Sequence, residues 1–449
     1  MENSLEKKYG LFTAISMVIG IVIGSGVFFK APAILNATGQ LGTGILAWII
    51  GGAIMIACAV TFSIMATKYE KVNGIVDYAE AALGSKYGYL VGWFMATIYY
   101  PSLTGVLAYV SGVYFCMLTG WIGTASIVWT VAIIFLILSF VLNSVAPKLA
   151  GKWQVSSCVI KLIPLIAMAI GGIIYGLSTG NLNTNFSSTI ASTATGNPLF
   201  YGVVATAFAY EGWIIATSIN SELKDAKKNL PIALVSGGVI IILIYLVYFI
   251  GIAGGVELSA LSDKAGVSTA YSNVFGSVAG TILTVFITIS CLGTLNGLTM
   301  GCTRGFYSLA ARGEGPAPKS FGAVSKKYGM PVLSCVIGFI AALIFLLYFT
   351  NVDYNGLYGK AGGFFFDVSE LPIVTIYALY IPIFVNMIVK EKELSAGKRF
   401  VWPILAIAGC VFMVVAAIDK FKASGLWQYL ICFVVIMAVG AIFMKKKKN

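Results

Sequence analysis

Histidine is absent from the sequence, and charged residues are scarce. The 449 residues include 29 basic and 17 acidic side chains, so 10% are charged and 59% are hydrophobic, with a mean hydropathy of +0.93. Soluble globular domains carry about 25% charged residues, so this composition excludes a soluble protein and predicts a polytopic membrane protein. Without histidine, any proton relay near neutral pH would have to use carboxylates, lysine or tyrosine.

The eight cysteines form no CxxC pair, and nearly all of them lie in apolar runs. We therefore expect neither a zinc site nor a disulfide framework, and no metal or other cofactor. The absence of a GxxxxGK(S/T) motif disfavours an ATP-driven pump. A channel would need polar rings along a pore, and an enzyme would need a catalytic constellation. The few charges within the apolar runs form neither a polar ring nor a catalytic constellation. We therefore expect neither a channel nor an enzyme.

Long apolar runs predict twelve membrane-spanning helices, for an all-α membrane protein. Their approximate bounds are 11–36, 42–66, 88–118, 125–143, 154–177, 199–220, 231–254, 273–303, 331–350, 368–389, 400–418 and 426–444. With the N-terminus inside, 23 of the 29 Lys and Arg residues fall in cytoplasmic segments and four fall outside, while Lys30 and Lys161 lie within spans. This positive-inside bias predicts that both termini are cytoplasmic.

The net charge of +12 could indicate nucleic acid, but its distribution indicates the lipid bilayer. The basic residues flank the spans, and the Lys445–Lys448 tail is predicted to lie near anionic headgroups. We expect no removable signal peptide after the polar residues 1–10. We expect a multi-pass protein of the cell membrane that has no nucleic-acid partner.

The first span contains Gly24-Ser25-Gly26 at its middle, where an ordinary spanning helix would carry Leu or Ala. Glycine weakens a helix interior by about 0.5–1 kcal/mol relative to Ala. A break at this depth is tolerated only where the freed backbone groups line a cavity or bind something. The motif therefore predicts half of a substrate site; the alternative is a small-residue face against which another helix packs.

The sixth span is interrupted in the same way by Ala207 to Trp213, which include Glu211 and Gly212. Gly26 and Gly212 are 186 residues apart, close to five spans. Breaks at matching places in two halves are typical of inverted-repeat transporters. We therefore predict a cytoplasmic N-terminus at 1–10, five-helix repeats at 11–180 and 181–390, and two additional helices with the basic tail at 391–449.

The two breaks suit a zwitterionic ligand. A half-helix N-terminus offers N–H groups to a carboxylate, and a half-helix C-terminus offers carbonyls to an ammonium group. An α-amino acid thus fits without a charged side chain from the protein. Ser25 could add a hydroxyl, and Phe208 could cover the ligand as a gate, although Phe208 could also serve ordinary aromatic packing.

Three segments carry a resemblance to a known family. They are Ile23 to Phe28; Phe208 to Trp213 with Glu222-Leu223-Lys224 and Asn229-Leu230-Pro231; and Thr303-Arg304 with Ala311 to Gly315 and Pro331. Together they resemble the amino acid–polyamine–organocation (APC) superfamily, most closely its L-type amino acid transporter branch.

This resemblance implies a leucine-transporter (LeuT) type fold with a 5+5 inverted repeat. It also implies transport of L-amino acids, usually without sodium and often by exchange. Gly24, Ser25 and Gly26 would receive the substrate carboxylate, and carbonyls near Ile23 and at Phe208, Ala209, Tyr210 and Glu211 would receive the amino group. Several eukaryotic members have Gly or Ser at the place of Glu211 and work with a glycoprotein subunit; nothing in this sequence requires such a partner.

Two ionisable residues lie within spans and have alternative interpretations. By the resemblance, Lys161 stands where sodium-coupled relatives of this fold bind an ion, and it would hold the broken first helix through carbonyls around Ile21 to Gly24. It could instead carry a proton, or reach the cytoplasmic interface as a snorkelling lysine. Glu211 could anchor the unwound segment by hydrogen bonds, stay protonated, or pair with a substrate cation.

Weaker signals concern spans three and ten. Tyr99, Tyr100 and Pro101 are expected to break up span three, where Ser102 or Thr104 could line the site. Asp367 and Glu370 could belong to an outer gate, or be solvated interface residues. For the whole chain, exchange of small or medium neutral amino acids is the first functional prediction; proton-coupled symport and exchange of cationic amino acids or polyamines are the alternatives.

Overall fold

The computed structural model describes residues 10–69, 74–121, 125–216, 223–261, 266–354 and 363–444. Glu222 of the second family motif, the Lys445–Lys448 tail and the predicted N-terminal segment up to residue 9 lie outside this part. Every regular element in the described residues is a helix. Helices satisfy their backbone hydrogen bonds within one segment, as a lipid environment demands.

The α-helices are numbered in chain order. The first half contains α1 (Leu11–Val22), α2 (Gly26–Thr38), α3 (Leu41–Lys68), α4 (Ile75–Leu83), α5 (Ser85–Phe94), α6 (Tyr100–Thr119), α7 (Ala125–Val145), α8 (Pro147–Thr179) and α9 (Asn181–Ser187). The second half contains α10 (Pro198–Ala209), α11 (Trp213–Ala216), α12 (Ala226–Gly255), α13 (Leu258–Leu261), α14 (Gly266–Ala311), α15 (Pro318–Phe321), α16 (Val332–Tyr354), α17 (Leu371–Lys390), α18 (Trp402–Phe421) and α19 (Leu426–Ile442). α14 is kinked at Gly276, whose φ of 83° is not helical.

Among the described residues, nine helical segments are long and apolar enough to cross a membrane. Three shorter apolar segments accompany them, at Leu11–Gly20, Pro198–Ala209 and Leu426–Ile442. The first two belong to α1 and α10, which end at Val22 and Ala209, where the chain breaks. The breaks predicted in spans one and six are therefore confirmed. Because each break divides its span into two shorter helices, neither span is among the nine long helical segments.

Span three differs from its prediction. Instead of a break at Tyr99-Tyr100-Pro101, a π-helical turn at Met95–Tyr99 joins α5 to α6, and the helical run continues from Ser85 to Thr119. The N–H of Tyr100 donates to Met95 O, one residue farther back than in an α-helix. Pro101 directly follows this turn, and because proline has no N–H, the continuous helix lacks one backbone hydrogen bond at this point.

Span five begins earlier than predicted. The apolar run indicated a start at 154, but α8 begins at Pro147. Its first two turns include Lys148 and Lys152, whose charge hides this stretch from a hydropathy window although lysine is a good helix former. The helix α8 is therefore longer at its N-terminal end than the apolar run from which the span was predicted.

Large apolar side chains are exposed on the outer faces of the long helices. Leu138, Ile174, Ile344 and Val434 are between 57% and 64% exposed. Monomeric soluble proteins rarely present such faces to water. With the long apolar helices, these faces establish a multi-pass membrane protein.

The chain divides into two compact units. The first contains Met1–Leu83, Cys158–Ile287 and Ile373–Lys420; the second contains Gly84–Ser157, Thr288–Pro372 and Phe421–Asn449. The first unit holds both helix breaks, with α1 to α3 and α10 to α12. A buried amide pair ties the second unit together internally, since Asn143 Nδ2 donates to Asn296 Oδ1 at 2.9 Å and Asn296 Nδ2 donates to Gln154 Oε1 at 3.1 Å.

Candidate functional site

The first break separates α1 from α2 at Ile23 to Ser25. Ile23 turns the chain into extended backbone, with φ −67° and ψ 110°, and its N–H makes the last bond of α1, to Ile19 O at 2.8 Å. Carbonyls at the end of α1 thus have no following turn to donate to them. All of Ile23, Gly24, Ser25 and Gly26 are buried.

The start of α2 presents backbone donors at the same place. The N–H groups of Phe28 and Phe29 both donate to Ser25 O at 3.1 Å, which forms the first turn. The N–H groups of Gly26 and Val27 precede that turn, so helix geometry gives them no carbonyl of α2 as an acceptor. The helix dipole adds partial positive charge at this end. The break therefore places backbone donors next to the carbonyls at the end of α1.

The second break follows α10. Asn197 begins this helix, because its Oδ1 accepts from the N–H groups of Leu199 and Phe200 at 3.0 and 3.4 Å, and Pro198 occupies the first helical position. The helix ends at Ala209, and Gly212 has φ +105°, a conformation that side-chain-bearing residues rarely adopt. α11 starts directly afterwards at Trp213, so the break covers residues 210 to 212.

The two breaks touch. A Cβ atom placed on Gly26 would lie 2.7 Å from Ala209 Cα and 3.1 Å from Phe208 O. No real side chain fits at that separation without a shift of backbone, so glycine is required for the approach. The structure therefore brings Gly26 together with Phe208 and Ala209, which the sequence placed in one site only through the spacing of two motifs.

A residue that the sequence analysis did not single out bridges the breaks. The hydroxyl of Tyr245 on α12 lies 3.3 Å from Val22 O and 3.1 Å from Ala209 O. One tyrosine thus contacts a carbonyl at the end of each broken half-helix. The available signal was weak: Tyr245 is a hydroxyl-bearing residue inside an otherwise apolar span, where such groups usually find a partner.

Aromatic packing fixes the second break from the side of α3. Tyr210 Oη donates to Trp48 O at 2.9 Å, and the rings of Trp48 and Tyr210 meet edge to face with centroids 5.6 Å apart. The ring of Tyr245 lies 5.3 Å from both of them. The predicted binding residue Tyr210 thus directs its hydroxyl at α3, and only its backbone belongs to the break.

Phe208 lies against two residues of α2. Its ring centroid is 5.8 Å from that of Phe29, and Lys30 Nζ lies 5.1 Å from the Phe208 centroid and 5.0 Å from the Phe29 centroid. A lysine at the centre of a spanning helix costs about 2.5–3.5 kcal/mol, and a cation–π contact returns about 0.5–2 kcal/mol. Lys30 is 4% exposed. The role of Phe208 as a gate stays a prediction.

Lys161 is buried within the first unit. Its side chain is 1% exposed on α8. A snorkelling lysine would keep its ammonium group accessible, so this burial favours the alternative in which Lys161 faces the protein interior. That Lys161 holds the first helix through the carbonyls around Ile21 to Gly24 stays a prediction.

Glu211 lies at the turn between α10 and α11. Its Oε1 accepts a hydrogen bond from the N–H of Gly212 at 3.0 Å, and its side chain is half-buried. This bond fastens the carboxylate to the unwound backbone immediately before α11. The geometry favours the anchoring role among the alternatives for Glu211.

The weaker candidates lie in the second unit. Asp367 Oδ1 accepts from the N–H groups of Ser369 and Glu370 at 2.7 and 2.6 Å, which is a helix-start turn before α17. Glu370 is 3% exposed, so the interpretation as a solvated interface residue is wrong for it. Ser102 and Thr104 donate their hydroxyls to carbonyls of their own helical run, Tyr99 O and Tyr100 O.

Sequence comparisons place these motifs among transport proteins. Residues 9–443 match the family model described as amino acid permease. The serine/threonine exchanger SteT of Bacillus subtilis (strain 168) is 31% identical, over 92% of this chain and 91% of that protein. The human b(0,+)-type amino acid transporter 1 is 25% identical, over 98% of this chain and 88% of that protein.

A comparison of structures agrees on the fold. The crystal structure of MhsT in complex with L-phenylalanine is similar with a TM-score of 0.59, over 93% of this chain and 100% of that chain. The identity is 14%, so the likeness concerns the fold alone. The arrangement of the described helices thus has a counterpart among solved structures.

Proposed function

The chain belongs to the amino acid permease family of the APC superfamily, and on this premise we propose that it exchanges small or medium neutral L-amino acids across the cell membrane without sodium. It is a transporter rather than an enzyme. The observation that carries the proposal is the contact between Gly26 and Ala209, which puts helix-end N–H groups and helix-end carbonyls side by side.

In this mechanism, the α-carboxylate binds the N–H groups of the Gly24 to Gly26 segment. The ammonium group binds carbonyls near Ile23 and at Phe208 to Glu211. Tyr245 positions two of the neighbouring carbonyls through its contacts with Val22 O and Ala209 O. Each charged end of the substrate meets backbone groups of opposite partial charge, so no ionised side chain is needed for a neutral amino acid.

The absence of a sodium requirement is supported by Lys161. Its buried ammonium group supplies a fixed positive charge in the same unit as both breaks. A fixed cation removes the need for a bound metal ion to balance the carbonyls at the end of α1.

Small neutral substrates and exchange are supported from two directions. The residues at the contact of the breaks are Gly26 and Ala209, which leave little bulk beside the substrate. SteT, which matches most of the chain, is named a serine/threonine exchanger. We extend this substrate class to the present chain, acting without an obligatory partner subunit.

The proposed architecture has twelve spans in a 5+5 inverted repeat, with both termini cytoplasmic and the predicted boundaries at 11–180, 181–390 and 391–449. The division into units supports the repeat. Predicted spans one, two, six and seven fall in the first unit, and predicted spans three, four and nine fall in the second, with about half of span eight. Spans that occupy the same position in the two predicted repeats therefore fall in the same unit, as expected for equivalent repeats.

The test uses purified protein in liposomes at symmetric pH, with radiolabelled serine outside. We expect uptake only when the liposomes contain unlabelled serine, at the same rate in sodium and in potassium buffer. Uptake that depends on external sodium would contradict the sodium independence. Failure of every neutral amino acid in loaded liposomes would contradict the substrate class.

Proton-coupled symport is the second candidate, because Lys161 is a buried ionisable group. It is the only charged residue in predicted span five, 154–177. In the same liposomes, uptake into empty vesicles driven by an inward proton gradient would favour symport. Substitution of Lys161 by Met would then abolish the gradient effect. Exchange predicts instead that a pH gradient changes nothing.

A further inference from the structure

Two buried cysteines meet within the first unit. Cys58 on α3 and Cys410 on α18 are free thiols, both are 0% exposed, and their Sγ atoms lie 3.7 Å apart. They are 352 positions apart in sequence, so only the packing of α3 against α18 brings them together. The proposed transport mechanism uses neither thiol. The pair is therefore free to carry chemistry of its own.

A glycine permits this approach of the two helices. Gly409 precedes Cys410 on α18, and a Cβ atom on Gly409 would lie 3.0 Å from Cγ2 of Ile54 on α3. Ile54 and Cys58 are four residues apart, so they lie on the same face of α3. α18 thus packs directly on the face of α3 that carries Cys58. The S–S distance of a disulfide is about 2.05 Å, so the two sulfur atoms need to approach by about 1.7 Å to form one.

Cys58 lies between two contacts of α3 with the sixth span. Seven residues before it, a Cβ atom on Gly51 would overlap Thr206 of α10. Four residues after it, the ring of Phe62 packs against that of Trp213, the first residue of α11, with centroids 5.8 Å apart. Offsets of four and seven residues keep these positions on one face of the helix. A displacement of α3 at Cys58 therefore reaches both half-helices that flank the second break.

We propose that Cys58 and Cys410 form a redox-modification site: a peroxide converts the two thiols into a disulfide that fastens α3 to α18, and this bond slows transport reversibly. Formation of the disulfide does not depend on the proposed amino acid transport, whereas its effect on the rate rests on that function. The rate falls because the bond pulls α3 at a position flanked by contacts with the helices of the second break.

The reaction balances with hydrogen peroxide as the oxidant. One thiol sulfur attacks a peroxide oxygen and the O–O bond breaks, which yields a sulfenic acid and one water. The second thiol sulfur then attacks the sulfenic sulfur, the S–O bond breaks, and the hydroxyl group leaves with the second thiol proton as another water. Two thiols are thereby oxidised to one disulfide, and one peroxide is reduced to two waters.

The surroundings of the two thiols select this oxidant and favour the second step. Full burial excludes bulky or charged oxidants, whereas hydrogen peroxide is small and uncharged. Once one thiol has become a sulfenic acid, the other already lies beside it, so the disulfide forms without a collision between separate molecules. The sulfenic acid is therefore converted to the disulfide rather than oxidised further.

The first experiment identifies the bond by mass spectrometry. The protein in liposomes is treated with increasing hydrogen peroxide, denatured with N-ethylmaleimide to block the remaining thiols, and digested. Met55 reports whether peroxide reaches this depth, because it is 2% exposed, lies on α3 three residues before Cys58, and gains one oxygen when oxidised. The variants are Cys58→Ala and Cys410→Ala. Cys116→Ala is the matched control, since Cys116 is a buried cysteine of α6 in the second unit.

In the unsubstituted protein and in Cys116→Ala, we expect a linked pair of peptides that contains Cys58 and Cys410 and has lost two hydrogen atoms. Absence of this pair at a peroxide concentration that has oxidised Met55 would overturn the proposal. Linkage of Cys58 to a different cysteine would overturn it as well.

A second measurement tests the effect on transport. The initial rate of serine exchange is recorded before peroxide, after peroxide, and after dithiothreitol, an uncharged reductant. In the unsubstituted protein and in Cys116→Ala, we expect the rate to fall at least about fivefold and then to recover. In Cys58→Ala and Cys410→Ala, peroxide should leave the rate unchanged.

The two measurements fail separately. A disulfide that leaves the rate unchanged, or an equal loss of rate in Cys58→Ala, would overturn the control of transport by this bond. If no amino acid is exchanged even before peroxide, the proposed function fails, and the linked peptides still decide whether Cys58 and Cys410 are a modification site.

Discussion

Gly26 and Ala209 come so close that a Cβ atom on Gly26 would lie 2.7 Å from Ala209 Cα. Each residue borders a break in a helix, and the breaks are far apart in sequence. The contact means that the start of α2 and the end of α10 cannot be considered separately. Any displacement of one half-helix at this point moves the groups that we propose as ligands on the other.

Substitution of Gly26 by Ala tests this contact. The added methyl group would overlap backbone rather than a flexible side chain, so the two breaks would have to separate. A displacement of about 1 Å at a reacting or binding site can cost up to about 100-fold in rate. We expect the initial rate of serine exchange to fall at least about tenfold, measured in loaded liposomes.

Gly42→Ala is the matched control for this variant. Gly42 lies on α3, and a Cβ atom there would meet nothing within 4 Å. Replacement of an unhindered helical glycine by alanine commonly stabilises a protein, so exchange should be unchanged. Normal exchange by Gly26→Ala would mean that the breaks tolerate separation, and the contact would then have no functional role.

Tyr245→Phe tests the bridge between Val22 O and Ala209 O. The ring and its packing against Trp48 remain, and only the hydroxyl is lost. A single hydrogen bond contributes about 0.5–1.5 kcal/mol, which corresponds to a roughly two- to tenfold effect on binding. We expect the KM for serine to rise by that factor because the two carbonyls lose their common positioning group.

The control for Tyr245→Phe is Tyr201→Phe. Tyr201 Oη also donates to a backbone carbonyl, Lys420 O at 3.0 Å, but at the far end of α10. Loss of the Tyr201 hydroxyl should leave the KM for serine unchanged. Equal effects of both substitutions would indicate general destabilisation rather than a role at the breaks.

The sequence predicted both breaks because glycine within an apolar span is a local signal. Gly24 and Gly26 interrupt the first span, and Gly212 interrupts the sixth. Local conformational preference is enough to identify such positions. The structure differs in the bounds, with the first break at Ile23 to Ser25 and the second limited to residues 210 to 212. Helix bounds were predicted less well where the helix continues beyond the apolar run, as α8 does at Pro147.

The contacts of Tyr245 with both breaks and the packing of Lys30 against Phe208 were not predicted, and the reason is physical. Tyr245 acquires its importance from a carbonyl 223 positions away in sequence, at Val22. No local pattern reports which of several tyrosines in apolar spans will meet such a partner. Lys30 was recognised only as a charge within a span, since its distance from the Phe208 ring depends on how α2 and α10 pack.

The ends of α3 and α17 meet in a charged cluster that predicts a pH dependence. The Lys68 ammonium group binds the carboxylates of Glu391 and Glu393, and Tyr69 Oη donates to Glu391 Oε1 at 2.6 Å. The hydrogen bond from Lys68 lowers the pKa of the Glu393 carboxyl from its usual value of 4.5. Because the folded pKa is depressed, the stabilisation is present above pH 4.5 and is lost as the pH falls through the lower folded value.

Glu393→Gln should therefore lower the thermal stability slightly at pH 7 and have no effect near or below the depressed pKa. The effect is small because Glu393 is 62% exposed and solvent screens the pair. Melting curves of the purified protein from pH 7 to pH 3.5 would show the two proteins converge. Lys392→Gln, which changes a neighbouring charge outside this pair, should not reproduce the convergence.

Glu211→Gln and Glu211→Leu together distinguish anchoring from charge at the second break. The amide oxygen of Gln can still accept from the N–H of Gly212, whereas Leu offers no acceptor and leaves that donor without its bond. If Glu211 anchors the turn, serine exchange should stay within about threefold in Glu211→Gln and fall much further in Glu211→Leu. If Glu211 carries a transported proton or pairs with a substrate cation, Glu211→Gln should fail as completely as Glu211→Leu. Since Gln cannot ionise, retained exchange in Glu211→Gln would leave Lys161 as the ionisable residue of the predicted site at which proton coupling could occur.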